Sequence, residues 1–300
     1  MTSADSLSGV LNVDKPLGMT SHDVVARVRR TLGIKRVGHA GTLDPLATGV
    51  LLVCVGPATR FSEYLMASAK TYVADVYLGR ETTTDDAEGE ITAEADASYL
   101  TAGPIAAALP AFTGDIEQIP PAYSAIKQGG RKLYEMARKG EAVEAAPRRV
   151  RIDAIGLLDW TPPIARLEVR CGPGTYIRSL ARDLGHALGP GGSLAALRRT
   201  VSGGFRAEDG LAEADLSSPA MLHERLIPLR EALAGWPEVQ LDAAQLADIR
   251  MGRRLAADPP PAPETLALAI TPSGNVAALL RAAPGGWQPD KVLDTSSQTG

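Results

Sequence analysis

Hydrophobic positions along the chain recur with two different spacings. Over 21–32, Val24, Val25, Val28 and Leu32 fall three or four residues apart, the period of one helix face. Ser21 stands where an N-cap is needed, Asp23 falls in the first turn and Gly33 follows the last apolar position, so the spacing predicts a helix. Arg27, Arg29 and Arg30 lie off its stripe and are expected to face water or a ligand. Ile177, Leu180, Ala181, Leu184 and Leu188 form a second such stripe and predict a helix over about 175–188. Elsewhere the period is two, or the apolar run is unbroken. Residues 9–13 and 50–55 read as buried strands, and 71–78 places Tyr72, Ala74, Val76 and Leu78 on one side. Over 164–171, Ala165, Leu167, Val169 and Cys171 alternate with Arg166, Glu168 and Arg170, and 151–159 reads as another strand. Residues 14–18 read as a turn, 37–48 as a loop ended by Gly49, the acid-rich 81–96 as a solvated loop and 101–109 as a short helix.

Two regions break this texture. Residues 115–150 are rich in Pro, Gly, Lys and Arg, with a helix expected at 131–139; so long and basic a stretch between strands reads as functional rather than as a plain connector. From about 236 the elements shorten: a helix near 242–251, a Pro-rich loop at 257–263, and strands at 265–270 and 276–281. This predicts a main unit over 1–235, a small, mostly β unit over 236–294 and a disordered tail at 295–300. Strands mix with helices without βαβ regularity, and no solenoid repeat is visible. The predicted class is α+β with a mixed, mainly antiparallel sheet.

Charge changes the picture through its distribution. Formal net charge is −4, which taken alone argues weakly against a nucleic-acid partner. Acid is concentrated in 81–96, whereas base clusters at 27–36, 131–139, 148–151, 198–199 and 250–254, so one face can be basic although the whole is acidic. The two cysteines, Cys54 and Cys171, sit in apolar runs with no metal-ligand spacing and are expected as buried thiols in a reducing compartment. Neither a signal-peptide pattern nor an apolar run of membrane-spanning length is visible, so a cytoplasmic protein is expected.

The familiar site signatures are absent: no phosphate-binding Gly-x4-Gly-Lys-Ser/Thr, no Gly-x-Ser-x-Gly elbow and no His-Glu-x-x-His. The loop around Asp44 remains. Gly38, Gly41 and Gly49 allow close backbone approach, and Pro45 holds the residue before it extended. An aspartate fixed in this way either starts a turn or is held for chemistry, and the local sequence admits both.

Six separated motifs occur in order: 11–21 (Leu-Asn-Val-Asp-Lys-Pro-Leu-Gly-Met-Thr-Ser), 38–49 (Gly-His-Ala-Gly-Thr-Leu-Asp-Pro-Leu-Ala-Thr-Gly), Lys70-Thr71-Tyr72 with Leu78-Gly79, 120–127 (Pro-Pro-Ala-Tyr-Ser-Ala-Ile-Lys), Gly174-Thr175-Tyr176-Ile177-Arg178, and Leu197-Arg198-Arg199-Thr200. With them the chain resembles, over most of 9–205, the TruB family of bacterial tRNA pseudouridine-55 synthases. The resemblance implies a pseudouridine-synthase catalytic domain followed by a PUA-like RNA-binding unit, the latter echoed in 251–255 and 274–276. It also implies Asp44 as the catalytic carboxylate, Tyr72 as the ring stacked on the target base, and Arg178 as the partner that keeps the carboxylate ionised. His39, Tyr176 and Leu197 would line the pocket of an extruded nucleotide, with Lys15 near the site and 115–150 as the insertion that grips an RNA stem-loop. Ala40 departs from the Thr of many relatives and removes a hydroxyl beside His39.

The implied reaction breaks the N1–C1′ bond of a uridine and rejoins the base through C5. It involves neither redox nor phosphoryl transfer, so no cofactor or metal is implied. The carboxylate can act as nucleophile on the sugar or as base on its 2′ side. The implied partner is the tRNA T-stem-loop, with a monomer expected and no protein partner. A tRNA-folding chaperone with secondary or no catalysis and a uridine glycosylase are the competing readings.

Overall fold

The computed structural model describes residues 7–121, 127–128, 131–132 and 145–293. Its main sheet runs, edge to edge, through Gly9–Lys15, Ala47–Val55, Gly192–Ser202, Lys70–Leu78, Ile164–Cys171, Arg148–Thr161 and Gly114–Gln118, with Val37–Ala40 and Phe205–Arg206 paired off this path. Pairing is antiparallel except where Gly192–Ser202 runs parallel to Ala47–Val55. The expected mixed, mainly antiparallel sheet is therefore present. Tyr72, Ala74, Val76 and Leu78 share its buried face, as their alternation predicted, and meet the buried stripe of the Ile177–Leu188 helix.

The first helix spans Ser21–Leu32 and ends on left-handed Gly33 at φ 67°. Its N-cap is Thr20, not Ser21: Thr20 and Asp23 form the reciprocal capping box. Ser21 is freed for a tertiary task described below. The second helix begins at Ile177, two residues later than its stripe suggested.

Two expected loops are partly strand. Val37–Ala40 pairs with Ala47–Val55, so the loop proper is only 41–46. Val37 and Ala40 are buried in that pairing, a gain invisible to local propensity in so glycine-rich a stretch. Within 81–96, Arg80–Thr82 pairs with Ile91–Glu94, and the turn between them buries Asp86 to 2% exposure. Composition suggested solvation, but the turn folds onto the Gly192–Ser202 strand, where Ala87 N–H donates to the Leu194 carbonyl.

In the basic stretch, Lys127–Gln128 pairs with Arg131–Lys132, so the first two residues of the helix expected at 131–139 are strand; its remainder lies outside the described residues. The tail 295–300 and the segment 122–126 of the fourth motif also lie outside them.

After 236 a second sheet of five strands follows the order Glu238–Gln240, Leu266–Ile270, Val276–Ala283, Gly286–Val292, Leu255–Ala256, beside the helix Ala243–Arg250. Leu268, Ile270 and Leu279 of this sheet share one apolar cluster with Val10, Leu52 and Phe61 of the main unit. The main sheet is thus covered on both faces near its first strands.

Candidate active site

Asp44 sits in the 41–46 loop, which is held at nearly every residue. The Ser21 hydroxyl donates to the Leu43 carbonyl at 3.0 Å and accepts from its N–H at 2.9 Å. The buried Lys15 ammonium donates to the Met19 carbonyl at 2.6 Å and, at 3.4 Å, to that of Pro45. Arg199 donates to the Gly41 carbonyl at 3.1 Å and to that of Val50 at 2.7 Å. The Asp44 carbonyl accepts from Ala47 N–H at 3.0 Å, so the Asp-Pro pair does begin a turn. Gly49, at φ 100°, lets the Gly192–Ser202 strand come alongside, because a Cβ there would lie 2.1 Å from the Arg199 carbonyl oxygen.

The Asp44 carboxylate points away from its own turn to the Arg178 guanidinium, 3.1 Å away. Arg178 is buried and reaches from the first turn of its helix; it also meets the Asp86 carboxylate at 3.3 Å and the Thr84 carbonyl at 3.1 Å. Burial raises the Asp44 carboxyl above its ordinary value, Arg178 opposes that rise, and the nearby negative charge of Asp86 adds to it. The expectation that Arg178 favours the ionised form thus holds in direction, but desolvation exceeds it.

Asp44 and Arg178 open onto a cavity of about 410 Å³ that Tyr72, Tyr176 and Leu197 also line. Tyr72 is buried, and burial pushes its phenol up while the nearby Arg199 opposes the rise. Tyr176 is fixed by Gln118, whose side chain bonds both its N–H (2.9 Å) and its carbonyl (3.1 Å). Five of the residues singled out in the sequence therefore converge on one cavity. His39 and Lys15 do not line it. Lys15 props the loop from beneath. His39 packs edge-on against His22 at 5.3 Å, and its buried Nδ1 has no hydrogen-bond partner among the described residues. Burial lowers the His39 pKa, with His22 and Arg199 adding to the effect.

Sequence reasoning passed over Asp86, Arg199 and Lys70. Lys70 lines the cavity, and burial, aided by Arg199, lowers its ammonium to about 8. Reading 192–202 as a strand would have placed Arg199 on the cavity face with Leu197, two residues away. No local signal separates Asp86 from the acids around it. Burial pushes the Cys54 thiol up to about 12 and that of Cys171 to about 11, so neither supplies a thiolate near neutral pH. Among the described residues no three His, Cys, Asp or Glu side chains gather as a metal site, and no helix is long and apolar enough to cross a membrane.

Three family models match the chain consecutively: TruB family pseudouridylate synthase, N-terminal domain, over 29–177; tRNA pseudouridylate synthase B C-terminal domain over 178–234; and tRNA pseudouridine synthase II, C-terminal, over 236–294. The tRNA pseudouridine synthase B of Symbiobacterium thermophilum is 50% identical over 252 residues, 83% of each chain. That of Dehalococcoides mccartyi is 44% identical over 290 residues, 96% of this chain and 97% of the relative. The chain belongs to the TruB family. Among solved structures, a Cbf5–Nop10–Gar1 complex matches this TruB-family chain with a TM-score of 0.74 at 27% identity, covering 96% of this chain and 85% of the other. An H/ACA RNP bound to a substrate RNA containing 2′-deoxyuridine matches at 0.72 and 25% identity, covering 96% and 86%. The pseudouridine-synthase fold and the β-rich, PUA-like C-terminal unit of the TruB family are both present. Asp44 lies in the first matched segment and Arg178 opens the second, 134 residues later, so their meeting is a product of the fold.

Proposed function

We propose that the chain isomerises the uridine at position 55 in the T-loop of tRNA to pseudouridine, with Asp44 as the reacting carboxylate. The observation that carries the reading is a carboxylate paired with a buried arginine at the mouth of a cavity walled by an aromatic ring. The uridine leaves its stack, at a cost of a few kcal/mol, and stacking on Tyr72 recovers about 1–3 kcal/mol of this. Asp44 then attacks C1′ or takes the 2′-side proton; either route cleaves N1–C1′. The freed base turns within the cavity and C5 bonds to C1′, displacing the Asp44 carboxylate on the first route or with return of the 2′-side proton on the second; the C5 proton is then lost as N1 gains one. Arg178 holds the carboxylate in its ionised, directed form, and Tyr176 and Leu197 confine the base. Lys15 supports the loop that presents Asp44.

The reading divides the chain into a catalytic unit over 1–235, with the basic stretch 115–150 gripping the stem-loop, and an RNA-binding unit over 236–294. It takes the protein to be a monomer acting in the cytoplasm without a protein partner; sedimentation of the free protein and of its tRNA complex tests the stoichiometry. A tRNA-folding protein without chemistry is not favoured, because RNA binding alone gains nothing from a desolvated carboxylate facing a polyanion.

The deciding experiment is tritium release from tRNA labelled at uridine C5. Release is expected with the unaltered chain and not with Asp44→Asn, which should still bind tRNA. Binding without release by the unaltered chain would refute the synthase reading, and release by the variant would refute the role of Asp44.

A further inference from the structure

The Ile177–Leu188 helix carries a second arginine one turn beyond Arg178. Arg182 Nη1 donates to Asp85 Oδ2 at 2.8 Å, Nε to Asp183 Oδ1 at 2.9 Å and Nη2 to the Ile119 carbonyl at 3.1 Å. Asp85 adjoins Asp86 in the chain. Two arginines four residues apart thus grip one short turn: Arg178 takes the Thr84 carbonyl and the Asp86 carboxylate, and Arg182 takes the Asp85 carboxylate.

That turn is not at rest by local preference. Asp85 has φ 59°, in the left-handed region that side-chain-bearing residues seldom occupy. Its carbonyl accepts from Leu194 N–H at 3.0 Å, and its N–H donates to the Thr82 carbonyl at 3.3 Å, so the backbone is committed on both sides. The Asp85 side chain is largely buried, and burial raises its carboxyl while Arg182 opposes the rise. Arg182, Arg178 and Asp183 are the charged groups that face it. Without Arg182 this carboxylate would lose its nearest counter-charge and be driven outward or to its neutral form, and the residue beside it is the one that braces Arg178.

We propose that Arg182 and Asp85 are positioning residues for the reaction: their ion pair holds the 82–89 turn so that Asp86 keeps Arg178 against Asp44. The proposal rests on the reading of Asp44 as the reacting carboxylate. The pair acts on turnover more than on RNA binding, because the strand entering the basic stretch has other anchors. Ile119 also accepts from the Ser179 hydroxyl at 2.8 Å, and Gln118 is bonded to Tyr176.

The test is steady-state tritium release from C5-labelled tRNA across pH by Arg182→Ala, Arg182→Lys, Asp85→Asn and the double variant Asp85→Asn/Arg182→Ala, with Asp44→Asn as reference. Asparagine tolerates the left-handed backbone, so Asp85→Asn removes the charge without new strain. Arg182→Ala and Asp85→Asn should lower kcat on the order of 10- to 100-fold, the scale of a slight misplacement transmitted to the reacting group, with KM changing much less. The acidic limb of kcat/KM should move to higher pH. Of the charged groups near Asp44, namely Arg178, Asp86, Lys15 and Glu88, Arg178 is the one that most opposes its upward shift. Lysine at 182 should restore part of kcat, and the double variant should be no worse than the poorer single one, since each breaks the same contact. Unchanged kcat and acidic limb in Arg182→Ala and Asp85→Asn, or a lowered melting temperature alone, would overturn the proposal while Asp44→Asn stays inactive. Turnover by Asp44→Asn would overturn the underlying reading and this one with it.

Discussion

At Asp44, folding pulls against the proposed chemistry. Its carboxyl is raised above the ordinary 3.8 by burial, against the pull of Arg178, so the folded chain holds the proton more tightly than the unfolded one. The stability contributed by this group is therefore full at pH below the unfolded value and is lost as pH rises through the folded one. At neutral pH the ionised carboxylate is a cost that the proposed reaction requires. Two outcomes follow from the same sign. The acidic limb of kcat/KM, which reports loss of the ionised form, should have its midpoint above 3.8. Asp44→Asn should unfold at a temperature no lower than the unaltered chain at pH 7, as commonly happens when a strained functional group is removed. A midpoint at or below the ordinary value, or a clearly lower melting temperature for the variant, would count against this account. Arg178 keeps Asp86 as a partner in the variant, so no buried charge is orphaned.

The loop that presents Asp44 depends on how three elements meet. The Ser21–Leu32 helix supplies Ser21, and the Gly192–Ser202 strand supplies Arg199 and runs close beside Gly49. Gly49→Ala would drive a methyl group into the Arg199 carbonyl at a φ unsuited to it, displacing the parallel pairing of 47–49 with 197–199. It should cost at least about 2 kcal/mol in denaturant unfolding and depress turnover as well, because Arg199 and Leu197 move with the strand. Thr20→Ala removes only the cap of the same helix and should cost about 1 kcal/mol, with turnover near that of the unaltered chain well below its melting temperature. Equal losses of activity in the two variants at matched folded fraction would contradict this division. The helix itself was legible from its stripe and from Gly33. Its true cap was not, because Thr20 and Ser21 are both good caps and only the Leu43 backbone claims Ser21.

The second sheet is more than an attachment to the main sheet. Besides the shared apolar cluster, Tyr64 meets Trp236 edge-on at 5.6 Å, its hydroxyl donates to Asp290 at 2.9 Å, and Arg60 donates to the Val292 carbonyl at 2.5 Å. A chain ended at 235 would expose the apolar face that Val10, Leu52 and Phe61 turn toward Leu268 and Leu279. It should melt at a lower temperature and aggregate more readily than the full chain, beyond any loss of tRNA affinity. Scanning calorimetry of the two chains checks this; identical melting would make the second sheet a passenger. The texture change near 236 marked where composition shifts, but it carried no sign that the two sheets share a core.

Local spacing alone settled the two main helices, the face of the Tyr72 strand and the α+β class, because each depends on a period of two or 3.6 and on residues within a turn or two of one another. The ordered motifs further singled out Asp44, Tyr72, Tyr176, Arg178 and Leu197, which the fold gathers around one cavity. Only the tertiary structure revealed that Asp86 lies buried against Arg178, that Arg199 clamps the 41–46 loop, and that His39 and Lys15 stand outside the cavity. These are contacts between segments separated by long stretches of chain. The sign of Asp44's shift likewise depends on a balance of burial against two opposing charges that no run of neighbouring residues encodes.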